Sequence, residues 1–214
     1  MPSGELGDLS ARARARAELR GFLVANRWSP GAILQEGDLA RELGLSKTPV
    51  REALLALSEQ GLLTPMARIG YRVEEISLRD LADVFAYREL LECHMVQEVA
   101  VTRGLINMGH IDSLESPADR EHRFHAEIAS VHGSKRMEQT MVALLDESHR
   151  ILCYLDPGNS LTLKLIADHD DILDAILSHD TVLASALLTV HLTHMRESLM
   201  AILRQRLREQ SGLV

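Results

Sequence analysis

The sequence predicts a mainly α-helical chain in two parts, a helix-turn-helix with a small β-hairpin followed by an all-helical bundle. Three observations predict it. Aromatic residues make up only 3% of the 214 residues while hydrophobic residues reach 46%, and that balance favours helix over a β-sandwich. Charge is divided unevenly: residues 1–73 carry ten Lys/Arg against eight Asp/Glu, and residues 74–214 carry 13 against 23, giving the net −8. All ten histidines lie from His94 onward. The chain is therefore read as two domains, 1–76 and 77–214. Two cysteines, Cys93 and Cys153, cannot staple a chain of this size, which fits a reducing, cytoplasmic compartment. The charged first 30 residues exclude a signal peptide, and no apolar run is long enough to span a membrane.

The first expected helix covers 9–27, with Leu9, Ala13, Leu19, Phe22 and Leu23 as its apolar positions, and Ser29-Pro30-Gly31 stops it. Ala32 to Leu34 is a short extended piece. Leu39, Ala40 and Leu43 mark a second helix closed by Gly44, and Leu45 to Lys47 make a tight turn. Thr48 suits an N-cap and Pro49 a first helical position, with Val50, Leu54, Leu57 and Leu62 as the buried stripe of a third helix. Two short helices joined this way make a helix-turn-helix, whose second helix enters the DNA major groove by its N-terminal end. That end presents Ser46, Lys47, Thr48, Pro49 and Arg51, with no carboxylate until Glu52. Hydroxyls and cations of this kind suit phosphates and guanine edges. Ile69, Tyr71 and Val73 alternate around Gly70, reading as a hairpin wing that carries Arg68, Gly70 and Arg72 to the minor groove or backbone. The competing reading is a structural helix corner without DNA.

From Ser77 onward helices are expected over 78–103, 118–132, 135–156, 161–178 and 181–208, with Gly104 to Pro117 interrupting. Glu121 and His125 stand four apart on one helical face, His169 leads the apolar stripe of Ile172, Leu173 and Ile176, and His191 follows Leu187 and Leu188. Four such groups converging in a bundle would hold a divalent transition metal ion of the Zn, Ni or Mn class. Against that stands a core of hydrogen-bonded histidines. His94, His110, His132, His149 and His179 have no supporting pattern and read as surface or boundary residues. His194 reads as a supporting or pocket-lining residue. Arg88 either pairs with Glu92 or faces a ligand carboxylate.

The run LARELGLSKTPVREALLALSEQGLL followed by GYRV resembles the winged helix-turn-helix of the GntR family of bacterial transcription regulators. It departs at Lys47, where arginine is usual, and at Gly37, where some members carry a DNA-contacting arginine. The helical part resembles the FCD ligand-binding domain of the FadR subfamily. Glu121-His122-Arg123-Phe124-His125, then His169 leading Ile172 to Ile176, then His191 at 22 residues further match its pattern, as do Arg88 and Glu92. Glu121 stands where aspartate is usual, with Asp119 as an alternative, and the 101–117 stretch is shorter than usual, so a helix is expected to be shortened or missing. The resemblance implies a metal-containing pocket for small carboxylates, with Glu121, His125, His169 and His191 as ligands and Arg88 and His194 as effector contacts. It also implies a homodimeric repressor on near-palindromic double-stranded operator DNA, in the bacterial cytoplasm at the nucleoid. No catalytic residue is expected and the chain is not read as an enzyme. A metal-dependent hydrolase or lyase with an accessory DNA-binding domain is the alternative, and an inert histidine core a third.

Overall fold

The structure, a computed structural model, describes residues 3–102, 106, 111, 113, 114 and 116–210, without the side chains of 3–10. Leu9's side chain, His110 and most of the 104–117 interruption, including any shortened helix there, lie outside the described residues. The chain divides into two compact units, Met1–Ile76 and Ser77–Val214.

In the first unit, α1 (Ser3–Val24) buries Ala15, Leu19 and Leu23 at strict four-residue spacing, while Ala13, expected in the stripe, is exposed. The helix stops three residues before the expected end because Asn26 turns to φ 53°. The N–H of Arg27 then bonds back to the Phe22 carbonyl, closing the last turn. β1 (Ile33–Leu34) leads into α2 (Glu36–Leu43), which Gly44 closes at φ 64° by donating to the Ala40 and Arg41 carbonyls. α3 (Lys47–Glu59) starts two residues earlier than Thr48 and Pro49 suggested, behind an extended Ser46. Proline fits inside the first turn because those N–H groups have no intrahelical partner to lose.

β2 (Leu63–Met66) and β3 (Gly70–Val73) form the wing, and β1 completes an antiparallel sheet in the order β1-β3-β2. Tyr71 pairs with both Leu34 and Pro65 and is buried with Val73. Ile69, expected to continue the inward alternation, lies in the turn and is 52% exposed. Gly70 has φ 138°, and a Cβ there would sit 2.2 Å from the Leu34 carbonyl oxygen, so only glycine lets β1 approach β3. The core of this unit joins the α1 stripe to Leu39, Leu43, Val50, Leu54 and Leu57.

In the second unit, α4 (Leu78–Thr102) is the central helix. It packs against α5 (Pro117–His132), α6 (Lys135–Leu155), α8 (Asp168–Leu177) and α9 (Thr181–Gln210). Ser77 caps α4 by accepting from the Asp80 N–H at 3.1 Å, and Ser116 does the same for α5. The expected single helix over 161–178 is two, α7 (Thr162–Leu165) and α8. Buried Asp156 anchors the start of the first: its Oδ2 accepts from the Leu161 N–H, Thr162 N–H and Thr162 hydroxyl at 3.1, 2.9 and 2.8 Å. That grip fixes α7, and His169 enters the next helix in its first turn. Among the described residues no helix is long and apolar enough to cross a membrane.

Candidate functional site

Glu121 and His125 lie one turn apart on α5, His169 opens α8, and His191 sits mid-way along α9. All four are buried, and their ligand atoms lie within 4.8 Å of one another. Glu121 Oε1 is 2.9 Å from His125 Nε2 and 3.4 Å from His191 Nε2, while Glu121 Oε2 is 2.9 Å from His169 Nε2. His125 Nε2 and His191 Nε2 are 3.2 Å apart. A zinc-like shell with bonds of about 2.0–2.2 Å places neighbouring ligand atoms roughly 3.0–3.4 Å apart. The spacing fits such a shell.

Proton bookkeeping points the same way. His125 Nδ1 makes a short contact with the Glu92 carboxylate, which places a proton on that side. Burial opposes a second proton on the ring, but Glu92 and Glu121 outweigh it and raise the His125 pKa, so a cation at Nε2 would displace that proton. Nε2 faces the carboxylate of Glu121 and the nitrogen of His191. Glu121 Oε2 and His169 Nε2, close as they are, are left without a hydrogen bond among the described residues. One proton satisfies one such pair, whereas a divalent cation satisfies all four, so the donor set fits a metal ion.

The surroundings hold these rings in place. The Phe124 ring stacks on His169 at 3.9 Å and 8°. Asp168 Oδ2 lies 3.5 Å from His191 Nδ1. Arg88 donates from Nε to Glu92 and from Nη1 to Ser148, each at 2.7 Å. Burial pushes the Glu92 carboxyl up, but the Arg88 guanidinium and His125 outweigh it and bring it down to about 2. Burial likewise opposes ionisation of Glu121, and the imidazoles of His125, His191 and His169 hold it well below the usual range. Burial lowers His169 and keeps its nitrogen available as a lone pair. Arg88 Nη2 has no hydrogen-bond partner and lies 3.9 Å from Glu121 Oε1. A closely packed seam beside the cluster is lined by Arg88, Glu121, His122, Ser148 and His149 among others.

Arg88 thus pairs with Glu92 and turns Nη2 toward Glu121 at ion-pair distance, without a hydrogen bond. His194 is exposed and stands outside this buried cluster. His149, expected at the surface, is buried, with Nδ1 donating to the Ala118 carbonyl at 3.1 Å. His132 is not a lone boundary residue either: its ring meets Glu98 at 3.0 Å. Sequence reading missed Ser148 and Asp168 as neighbours of the site. Asp168 was detectable as the carboxylate directly before a ligand histidine, but Ser148 reaches Arg88 only through tertiary packing.

In the first unit, Ser46, Lys47, Thr48 and Arg51 are exposed at the start of α3, and Arg68 is exposed in the wing turn at φ 66°. Lys47, Arg51, Arg68 and Gly70 line one groove. Pro49 is the exception: it is buried, so it shapes the helix start and does not face a ligand. Arg51 is held by a residue the sequence reading passed over, donating from Nε and Nη2 to Glu36 at 3.0 and 2.7 Å. The Lys47 side chain runs over Gly37, its Cε 3.6 Å from where a Cβ would stand.

Residues 11–73 match the model of bacterial regulatory proteins, gntR family, and residues 83–194 match that of the FCD domain. A regulator of the helix-turn-helix type from an unstable DNA locus of Streptomyces ambofaciens is 28% identical over 82% of this chain and 79% of its own length. The transcriptional repressor GlaR of Escherichia coli K12 is 27% identical over 81% and 89%. A solved structure of a regulator from Rhodococcus sp. RHA1 superposes with a TM-score of 0.77 at 23% identity, covering 90% of this chain and 98% of that one.

Proposed function

The chain belongs to the gntR family of bacterial regulatory proteins and carries an FCD domain, and from that premise we propose that it is a repressor whose hold on DNA answers to a small organic acid. It is a DNA-binding transcription regulator and not an enzyme. The observation that carries the finer reading is the burial of Glu121, His125, His169 and His191 with their ligand atoms within 4.8 Å of one another.

These four residues would hold a divalent transition metal ion. When bound, such an ion supplies Lewis-acidic positions for an anion. The chain's own residues do the rest. Glu92 holds Nδ1 of His125, Phe124 stacks on the ring of His169, and Arg88 Nη2, which makes no hydrogen bond, would meet a ligand carboxylate admitted at the seam it lines. Ser46, Lys47, Thr48 and Arg51 would meet the major groove, and Arg68 with Gly70 the backbone or minor groove. A second copy would bring the matching half-site reader about one DNA turn away. A switch results only if the acid binds the DNA-competent and DNA-incompetent states unequally.

Elemental analysis of the purified chain, with thermal unfolding before and after chelation, tests this. After dialysis against metal-free buffer, which empties any site open to water, one transition-metal ion per chain and a lowered melting temperature on chelation are expected, both lost in His169→Ala. A metal-free chain indifferent to chelator would leave the four side chains as inert packing. Selection from a random DNA pool should enrich a two-fold-related motif, and failure to do so would overturn the DNA reading.

A further inference from the structure

A second histidine–carboxylate grouping lies on the outer surface of the helical unit, unused by the buried centre. His94 and Glu98 stand one turn apart on α4, and His132 occupies the last turn of α5. Their ligand atoms also lie within 4.8 Å of one another. One carboxylate serves both rings: Glu98 Oε1 is 3.5 Å from His94 Nε2, and Oε2 is 3.0 Å from His132 Nε2. His132 is a fixed arm, its side chain 6% exposed. His94 and Glu98 are more than half exposed and free to turn toward an ion arriving from solvent.

We infer that His94, Glu98 and His132 form a second, solvent-facing site for a divalent transition metal ion of the zinc, nickel or copper class. Two imidazoles and one carboxylate are the donor types these ions accept while keeping positions open. An intrahelical ion pair needs only His94 and Glu98; the ring brought by a second helix is what turns the pair into a three-armed chelate. The end of α5 assists, because its last carbonyls lack intrahelical partners and concentrate negative charge beside a cation. An ion here ties the later turns of α4 to the last turn of α5, and it stabilises that join in proportion to the free ion concentration. Being open to water, this site loads and empties quickly, whereas the buried centre exchanges only as the bundle opens.

Equilibrium dialysis of the full chain against zinc chloride, with zinc counted per chain, provides the test. His94→Ala, at an exposed position, is expected to saturate with one zinc fewer than the wild type, and His132→Ala to match it. His169→Ala is expected to keep the outer ion. If the buried centre takes no metal, the wild type binds one zinc and His94→Ala none, so failure of that reading leaves this readout intact. Equal zinc uptake by the wild type and His94→Ala overturns the proposal and leaves Glu98 as a partner of surface ion pairs alone.

Discussion

Each half of the chain contains an arginine gripping a glutamate, and the two pairs answer to different physics. Arg51 holds Glu36 at the surface, its side chain 59% exposed, whereas Arg88 holds Glu92 with both side chains at 1% or less. The exposed pair is screened by salt and can trade its carboxylate for a phosphate. The buried pair has no such exchange available, since removing one member strands the other charge in a dry interior. The DNA-facing half keeps its charges negotiable, and the helical half locks them into position.

The sharpest way to break this contrast is Arg88→Ala, which is expected to destabilise the helical unit by about 3–5 kcal/mol in chemical denaturation. A loss no larger than that of a surface ion pair would show that water reaches Glu92. Arg51→Ala should leave folding and metal content unchanged yet abolish enrichment of a specific DNA motif. Retained enrichment would move the reading contact elsewhere. The dryness of the bundle is measurable at Cys153, whose thiol is pushed up to about 11 by burial and then by Asp119 and Asp156. Iodoacetamide at pH 8 should alkylate it at least about a hundredfold more slowly than a free cysteine. The rate should rise about tenfold per pH unit as the thiolate fraction grows toward the folded pKa. The smallest effect is expected for Glu36→Gln, which weakens the hold on Arg51 and removes a negative charge from the groove that Lys47 and Arg68 also line. Binding to random-sequence DNA should tighten, and the ratio of specific to non-specific affinity should fall, as read by fluorescence anisotropy. An unchanged ratio would mean that Glu36 does not orient Arg51.

What the sequence made legible was whatever one element carries by itself. The four-residue spacing of Glu121 and His125, the inward register of His169 and His191, and the glycine that closes α2 follow from helix and turn geometry alone. Contacts between distant segments were not legible. Nothing at 92 and 125 announces that Glu92 would hold His125 Nδ1 across two helices. The break between α7 and α8 contains neither glycine nor proline to announce it, and Ile166 and Ala167 keep right-handed helical backbone angles across it. His149 looked like a surface residue until the Ala118 carbonyl supplied a buried acceptor. Pro49 lies in the chain between exposed Thr48 and Arg51, yet one residue along a helix turns about 100° and carries it into the core.

Gly37 lends the reading head a constraint that neither position shows singly. The stem of Lys47 rests where a longer side chain at 37 would have to pass. A methyl group would fit at that contact distance, and a longer residue would share the space with an exposed, flexible lysine stem. Bulk introduced at 37 is therefore expected to shift where the Lys47 ammonium rests, so that the two positions tune its reach together.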